Sequence, residues 1–417
     1  MELKRVVVTG LGALTPIGNT TQEFWDGLLN GVSGAGPITG FDTEKFKTKF
    51  ACELKNFNPE DHLDKKEARK LDPFVQYAMV STAEAVKDGN FDFEKIDTNR
   101  VGVIWGSGIG GFKTFQEEMK TFFLGDGTPR INPFFIPKVI IDIVPGHISI
   151  KYGLRGPNFA TVSACASSTN AMIDAFNYIR LDIADIIISG GSEAIINEAG
   201  IGGFNAMHAL STRNDDPKTA SRPFDKDREG FVAGEGAGTI ILEELEHAKA
   251  RGAKIYAEMI GGGMSADANH ITAPHPQGLG ARMVMTNALR DAKLTTADID
   301  YINVHGTSTP LGDISESRAI VDLFGEDAYK LNISSTKSMT GHLLGAAGAI
   351  EAIATILAVK NDVVPPTINH FTDDPEFDPK LNFTFNKAQK RVIRAAQSNT
   401  FGFGGHNASV IFKKYEE

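Results

Sequence analysis

The sequence predicts an alternating α/β protein built from two halves that repeat the same order of elements. Short apolar runs that end near glycine alternate along the chain with segments of helical period. The order of these elements in residues 1–253 recurs in residues 254–417. The chain has 417 residues, 41% of them apolar and 43 of them glycine, so it can bury a large core. We therefore expect two duplicated βαβ halves that meet near residue 253.

The first half contains predicted strands that stop at turn residues. They cover residues 6–9, 101–105, 159–162 and 185–188. After the third strand, Met172, Ala175, Phe176 and Ile179 recur at helical spacing and indicate a helix. A buried strand at 239–242 closes the half, and a charged helix at 245–251 ends at Gly252.

The second half repeats these elements. Its predicted strands cover residues 255–260, 301–304, 331–334 and 392–398. A helix of small and apolar residues at 346–359 follows the third strand, as the Met172 helix does in the first half.

Composition narrows the classes of function. A formal net charge of -10 disfavours a general nucleic-acid surface, because such binding needs clustered Lys and Arg. No run reaches transmembrane length, and the start of the chain does not resemble a secretion signal. Two cysteines argue against a disulfide framework. We expect a cytoplasmic protein that spans no membrane.

Cys165 lies where the third strand of the first half turns into a helix. A helix N-terminus favours a thiolate over a thiol, and the thiolate is the nucleophile. The alternative is that Cys165 is a small buried hydrophobe, as most single cysteines are. Its neighbours in the fold must decide between these interpretations.

Two histidines occupy turns at strand ends of the second half. His305 follows the predicted strand at 301–304, and His342 follows the one at 331–334 together with Lys337. Strand ends of an open α/β sheet share one edge, so we expect Cys165, both histidines and the 401–405 loop to converge there. A cysteine with two histidines suits acyl transfer from a thioester.

These residues make the chain similar to one enzyme family. The motifs that carry the resemblance are Val162-Ser163-Ala164-Cys165, Arg222-Pro223-Phe224-Asp225, the glycine-rich 234–238 stretch, His305-Gly306-Thr307-Ser308-Thr309, the 337–342 turn and the 399–405 loop. The chain resembles the β-ketoacyl-[acyl carrier protein] synthases of the thiolase superfamily, most closely their synthase II branch. The resemblance implies a five-layered αβαβα thiolase-like fold, a homodimer, and an acyltransferase of fatty-acid elongation that needs no cofactor and no metal.

The resemblance also implies catalytic roles. Cys165 would take the acyl chain from its phosphopantetheine thioester on the acyl carrier protein. His305 and His342 would hold the malonyl thioester during decarboxylation, and the enolate would attack the acyl group to give a 3-oxoacyl carrier protein and CO2. The N–H groups of Cys165 and Phe403 would form the oxyanion hole, with Phe403 also acting as a gate. Lys337 would be an electrostatic support residue.

Other residues would bind substrate or support the site. By resemblance, Thr307 and Thr309 would bind the pantetheine arm, and Ile109 and Phe204 would form the acyl-pocket wall. The supporting residues would be Glu351 as the partner of Lys337, and Asp267 and His270 in a mobile loop beside the gate.

Several rival interpretations remain. A thiolase would carry a second cysteine in the 401–405 loop, where this chain has none. A polyketide-type ketosynthase shares the Cys-His-His set, and the sequence separates it poorly from a synthase of fatty-acid elongation. A non-catalytic chain-length partner subunit is disfavoured by Cys165. A metal-binding module of Cys52, Cys165, His305 and His342 is disfavoured because these residues lack close ligand spacing.

Overall fold

The structure is a computed structural model that describes residues 3–416. Its strands are Val6–Leu14 (β1), Gly36–Pro37 (β2), Phe50–Ala51 (β3), Val101–Gly106 (β4), Asn158–Thr161 (β5), Ile186–Glu193 (β6), Gly236–Glu244 (β7), Ala257–Ala266 (β8), Tyr301–Asn303 (β9), Asn332–Ser334 (β10), Val363–Val364 (β11), Gln389–Lys390 (β12), Ala395–Gly402 (β13) and His406–Lys413 (β14).

The α-helices alternate with these strands. They are Thr21–Leu29 (α1), Lys65–Ala68 (α2), Pro73–Asp88 (α3), Phe112–Leu124 (α4), Phe135–Val139 (α5), Ile143–Tyr152 (α6), Ser167–Arg180 (α7), Glu198–Ala206 (α8), Leu245–Ala250 (α9), Leu279–Ala292 (α10), Pro310–Phe324 (α11), Lys337–Thr340 (α12) and Ala347–Asn361 (α13).

The main sheet shows the duplication directly. Its strand order is β10-β9-β13-β14-β8-β1-β7-β6-β4-β5. Each half contributes five strands to this sheet. When those five are numbered along the chain, their order from the outer edge inward is third, second, fourth, fifth, first in both halves. The outer three strands of each half are parallel to one another. The halves therefore share one topology, as the sequence predicts.

Three layers of helices and the two half-sheets stack alternately, which gives five layers. The pair α3 and α6 packs on the outside of the first half-sheet, α7 and α13 lie between the two half-sheets, and α10 and α11 cover the second. Separate apolar cores fill the spaces between the layers. This arrangement is the αβαβα architecture expected above.

The central helix α13 illustrates why composition alone can mislead. The segment Leu344–Asn361 is long and apolar enough to cross a membrane, so the expectation that no run reaches transmembrane length is wrong for this segment. In the fold, 89% of that segment is buried. Its apolar surface is explained by contacts on both sides, because a helix between two sheets has no solvent-facing side.

The predicted strand ends at glycine are wrong in several places. β1, β6 and β8 all continue through the glycines at which we expected them to stop. The reason is close packing by neighbouring helices: a Cβ on Gly10 would lie 2.5 Å from the carbonyl oxygen of Ala85 in α3, and one on Gly261 would lie 2.7 Å from that of Ala288 in α10. These glycines allow helix and strand backbones to approach each other.

Candidate active site

Cys165 lies on a sharp turn between β5 and α7. Ala164, just before it, has a φ of +51°, which is uncommon for a residue with a side chain. Ser167 stabilises the turn, because its Oγ accepts a hydrogen bond from the Ser163 N–H at 2.9 Å and donates one to the Ala164 carbonyl at 2.6 Å. The turn points the thiol toward the second half.

The expectation that the helix start favours a thiolate at Cys165 is wrong. The helix begins at Ser167, two residues after Cys165, and the Cys165 side chain is buried. Burial raises the pKa of Cys165 to about 12, although Lys337 and the Phe403 N–H act in the opposite direction. Desolvation of the charged form outweighs the helix end, so the resting residue is a thiol.

The two histidines and the thiol form one cluster. His342 Nε2 lies 3.0 Å from Cys165 Sγ. The His305 ring lies edge to face against His342, with the ring centroids 5.3 Å apart. Burial and the nearby Lys337 hold the pKa of both histidines well below the usual value, so both rings are neutral at neutral pH.

The backbone on each side of His342 is paired with the 232–234 segment. The His342 N–H donates to the Val232 carbonyl at 2.7 Å, and the Gly234 N–H donates to the His342 carbonyl at 2.9 Å. Gly234 of the glycine-rich 234–238 stretch thus helps to fix the backbone of His342.

His305 is positioned by a buried carboxylate that the sequence reasoning missed. Glu316 in α11 accepts the N–H groups of His305 at 3.0 Å and Gly306 at 2.9 Å. Burial raises the pKa of Glu316 to about 7, against the effect of these N–H groups. The available signal was its place 11 residues after His305, which puts it on the helix that follows the histidine turn.

Lys337 and Glu351 form a buried ion pair behind the histidines. The Lys337 Nζ contacts the Glu351 carboxylate, and neither residue is more than 2% exposed. Burial raises the pKa of Glu351 to about 7, and Lys337 opposes that rise. The pair lies outside the cavity, so Lys337 acts on the histidines through its charge.

The loop after β13 brings Phe403 to Cys165. A Cβ on Gly402 would lie 2.6 Å from the Ser163 carbonyl oxygen, so a side chain there would push the loop away from the nucleophile turn. Asp267 accepts a hydrogen bond from Asn407 at 2.9 Å, and its own N–H donates to Gly405 at 2.9 Å. Asp267 therefore supports the base of the Phe403 loop.

His270 lies outside the cavity. Its exposed ring accepts the N–H groups of Thr272 at 3.2 Å and Ala273 at 3.1 Å through Nδ1. The residue stabilises its own loop. That loop contacts the Phe403 loop through the Ile271 carbonyl, which accepts the Gly404 N–H at 2.6 Å.

A cavity of about 580 Å³ opens onto this cluster. Among the residues expected to bind substrate, those lining it are Ile109, Phe204, Thr307, Thr309 and Phe403. The Thr307 and Thr309 hydroxyls lie 3.0 Å apart. Threonine hydroxyls and apolar side chains both line the cavity, so it suits a ligand with polar and apolar parts.

The cluster also has the composition of a metal site. The thiol and the imidazole nitrogens of Cys165, His305 and His342 all lie within 4.8 Å of one another. Their wide separation in sequence was therefore a poor argument against metal binding, although Cys52 takes no part. The positive charge of Lys337, which already lowers the pKa of both histidines, opposes a cation here.

Comparisons with known proteins identify the family. Residues 3–248 match the β-ketoacyl synthase N-terminal domain, and residues 256–371 match the β-ketoacyl synthase C-terminal domain. The chain belongs to the β-ketoacyl synthase family. The β-ketoacyl synthase described here is 52% identical over 413 residues to a 3-oxoacyl-[acyl-carrier-protein] synthase 2 of Staphylococcus aureus, covering 99% of both chains.

Solved structures agree with this assignment. A β-ketoacyl synthase from Burkholderia phymatum is 35% identical, with a TM-score of 0.91, over 99% of this synthase and 100% of that chain. A type II polyketide ketosynthase in complex with its acyl-carrier protein is 32% identical, with a TM-score of 0.88 and the same coverage.

Proposed function

We propose that this synthase catalyses the decarboxylating condensation of an acyl chain carried on Cys165 with malonyl-[acyl-carrier-protein]. The observation that carries the proposal is the contact between Cys165 Sγ and His342 Nε2, with His305 beside them in one cavity. The high identity to 3-oxoacyl-[acyl-carrier-protein] synthase 2 supports fatty-acid elongation as the process.

In the first half-reaction, Cys165 attacks the thioester carbonyl of the acyl carrier. The Sγ–C bond forms, the bond from carbon to the carrier sulfur breaks, and the thiol proton leaves with the carrier thiol. Because burial raises the pKa of Cys165 to about 12, the proton must pass to a base during attack. Neutral His342, 3.0 Å from Sγ, is placed to accept it.

The tetrahedral intermediate places negative charge on the former carbonyl oxygen. We propose that the backbone N–H groups of Cys165 and Phe403 donate to this oxygen. One such donor is worth about 3 kcal/mol in comparable sites. Gly402 allows the loop to come close enough for both donors to act together.

In the second half-reaction, malonyl carrier protein loses CO2. The electron pair of the broken C–C bond forms an enolate, whose carbon attacks the acyl-Cys165 carbonyl. The C–Sγ bond breaks, and Cys165 leaves as a thiolate that takes up one proton from solvent to return to the thiol. His305 and His342 donate hydrogen bonds to the enolate oxygen, which requires neutral rings that carry a proton on the facing nitrogen. His342 accepts the thiol proton at Nε2 in the Nδ1–H tautomer, so its ring changes to the Nε2–H tautomer between the two half-reactions. The low pKa of both histidines supplies neutral rings at neutral pH.

We also propose the substrate carrier, the cellular location and the division of roles between the two halves. The acyl carrier protein delivers both substrates, the phosphopantetheine arm passes Thr307 and Thr309, and no resident cofactor or metal takes part. The enzyme acts in the cytoplasm. Residues 1–253 carry the nucleophile and residues 254–417 carry the two histidines.

We propose that the synthase is a homodimer, because β5 forms an edge of the main sheet. β5 is the outermost strand of its half and has one strand partner, β4. Beside it, Val162 is 60% exposed and Ile150 in α6 is 81% exposed. A second copy that pairs along β5 would cover both the free backbone groups and these apolar side chains.

Two cysteine variants test the proposed chemistry. We expect Cys165→Ala to remain folded and to lose both the acyl adduct and condensation. We expect Cys165→Gln to keep decarboxylating malonyl carrier protein, because the histidines remain. Intact-mass analysis measures acylation, and CO2 release measures decarboxylation. Elongation by either variant would contradict the assignment of Cys165 as the nucleophile.

A polyketide-type ketosynthase is the second candidate, favoured by the likeness to the type II polyketide enzyme. It would retain and extend an unreduced chain through several condensations. Product analysis after malonyl addition separates the two, because fatty-acid elongation gives a single 3-oxoacyl product without a reductase. Zinc in a stoichiometric amount in the purified protein would instead favour a metal site at the Cys-His-His cluster.

A further inference from the structure

Glu193 is a buried carboxylate that the chemistry above does not use. It is the last residue of β6 and has no exposed surface. Both carboxylate oxygens are fully engaged by uncharged donors. Burial raises the pKa of Glu193, whereas these donors lower it. An ion without a charged partner in the core is costly, so such a residue needs a structural or functional explanation.

The donors to Glu193 come from both halves of the chain. From the first half, the Ser107 hydroxyl donates at 3.1 Å, the Gly108 N–H at 2.8 Å and the Ile109 N–H at 3.1 Å. From the second half, the Gly345 N–H donates at 2.9 Å. One carboxylate thus connects the loop after β4 to the segment that follows His342.

Two glycines leave the space for this connection. A Cβ on Gly108 would lie 2.9 Å from Glu193 Oε2, and one on Gly345 would lie 2.7 Å from the same oxygen. The requirement is strictest at Gly345, because a Cβ there would also lie 2.2 Å from the Gly108 backbone nitrogen, which cannot move aside as the end of a side chain can.

The residues that Glu193 fixes carry walls of the cavity. Ile109, whose N–H is bound, and Leu344, which precedes the bound Gly345, both line the cavity beside Cys165. Leu344 also has a φ of +49°, so its segment is held in an uncommon conformation. A single side chain therefore sets the separation of the two apolar walls.

We propose that Glu193 is a positioning residue that holds Ile109 and Leu344 at a fixed separation and so sets which acyl chains Cys165 accepts. This inference rests on the proposed function, since it concerns the acyl side of the same cavity. It also predicts that the negative charge of Glu193 acts on the thiol through space.

Glu193→Gln tests the proposal with little change in volume. The amide nitrogen of the new side chain would face N–H donors, so about half of the four hydrogen bonds would be lost. Ile109 and Leu344 would then no longer be held at a fixed separation. We expect the ratio of Cys165 acylation rates for long over short acyl carriers to rise about tenfold, as the loss of a buried hydrogen bond to a charged group allows. Intact-mass kinetics with carriers of several chain lengths gives the ratio.

Ser107→Ala is the milder variant if Glu193→Gln fails to fold. It removes the hydroxyl donor to Glu193 and the acceptor of the Gly110 N–H at 3.2 Å, while the three backbone donors to Glu193 remain. We expect a change in the same direction and of smaller size. Glu84→Gln is the control, because Glu84 is a half-buried carboxylate that likewise accepts two backbone N–H groups, from Ala13 at 2.8 Å and Thr21 at 2.7 Å, without lining the cavity. We expect wild-type ratios for the control.

Alkylation of Cys165 provides a readout that needs no acyl substrate. The groups whose charges act on the thiol are Lys337, Glu193 and Glu351, and its pKa is raised mainly by burial and further by Glu193. In Glu193→Gln, the pH profile of iodoacetamide reaction at Cys165 should move to lower pH, with Glu84→Gln unchanged.

The outcomes separate the two levels of inference. An unchanged chain-length ratio together with an unchanged alkylation profile in folded Glu193→Gln would overturn the role of Glu193. The same shifts in Glu84→Gln would also overturn it, because they would report a general loss of packing. Failure of the wild type to form any acyl adduct would instead contradict the proposed function, while the alkylation profile would still test Glu193.

Discussion

At the scale of single residues, the site combines groups whose ordinary ionisation is suppressed. Burial raises the pKa of the Cys165 thiol, and burial with Lys337 lowers the pKa of His305 and His342. Each side chain is therefore neutral at rest, and charge develops only when a substrate arrives. Preorganised donors are most effective in such a dry site, because they need no reorganisation during the reaction.

The charge of Lys337 is predicted to set the acid limit of the reaction. Replacing the pair by Lys337→Met with Glu351→Leu removes a cation that lowers the pKa of both histidines, so that their pKa values rise. Because activity needs neutral rings, it is lost as pH falls through the histidine pKa. We expect the acid limb of malonyl-carrier decarboxylation to move to higher pH.

The double variant should remain folded, because a well-packed apolar pair often replaces a buried ion pair at little cost in stability. Lys337→Met alone should be less stable by about 3 kcal/mol, because it leaves the Glu351 carboxylate buried without its partner. The control is Arg5→Met with Glu258→Leu, a more exposed ion pair of 2.7 Å that lies outside the cavity. An acid limb that stays in place in the folded double variant would contradict this role for Lys337.

At the scale of elements, the site depends on turns that bring strand ends together. The outer parallel strands of both halves end at the cavity: β5 leads to Cys165, β9 to His305 and β13 to Phe403. The third strand of the second half, β10, corresponds to β5 and leads to Lys337 and His342. Duplication thus places the nucleophile and one histidine at equivalent positions.

Gly402 gives the most direct test of the loop geometry. Gly402→Ala would place a Cβ 2.6 Å from the Ser163 carbonyl oxygen and 3.1 Å from the Cys165 nitrogen. The Phe403 N–H should then move away from the acyl carbonyl, and a displacement of 1 Å in such a site can cost about 100-fold in rate. We expect acylation of Cys165 to fall by about that factor.

Stopped acylation reactions followed by intact mass measure this effect. The control is Gly36→Ala, since nothing lies within 4 Å of a Cβ at Gly36. Wild-type acylation in folded Gly402→Ala would show that the loop position does not matter.

Much of this arrangement could be predicted from sequence because apolar periodicity and strand-end turns are local signals. The strands leading to Cys165 and His305, and the central helix α13, lie close to where the pattern placed them. The last strand, β14, was not predicted, because the glycine-rich loop before it indicates, from sequence alone, the end of the last strand. The continuation of β1 past Gly10 depends on how closely α3 packs against it. This is a tertiary effect that the neighbouring sequence does not show.

The sequence could not reveal the electrostatics of the site either. A helix start suggested a thiolate, but the depth of burial decides the pKa of Cys165, and burial depends on the whole fold. Glu193 and Glu316 were missed for the same reason. Each accepts backbone N–H groups, and such partners leave no residue-type pattern.

At the scale of the whole molecule, two half-sheets and their helices form one body with an open edge at β5. That edge predicts the oligomeric state. We expect the synthase to sediment as a dimer, and we expect Ile150→Asp to raise the dimer dissociation constant at least about tenfold, because it places a charge in an apolar interface.

Sedimentation velocity over a concentration series measures this constant. The control is Val392→Asp, at a side chain that is 68% exposed but lies in the second half, far along the chain from β5. A monomeric wild type, or equal weakening by both variants, would contradict dimerisation through the β5 edge.

The central claim is that an acyl group passes through Cys165 on its way to a new carbon–carbon bond. Its most direct test is a pulse and chase by intact mass: the synthase is first incubated with an acyl carrier, and malonyl carrier is then added. We predict a single adduct at Cys165 that disappears on malonyl addition as 3-oxoacyl carrier and CO2 form. An adduct on another residue, or product formation by Cys165→Ala, would contradict it.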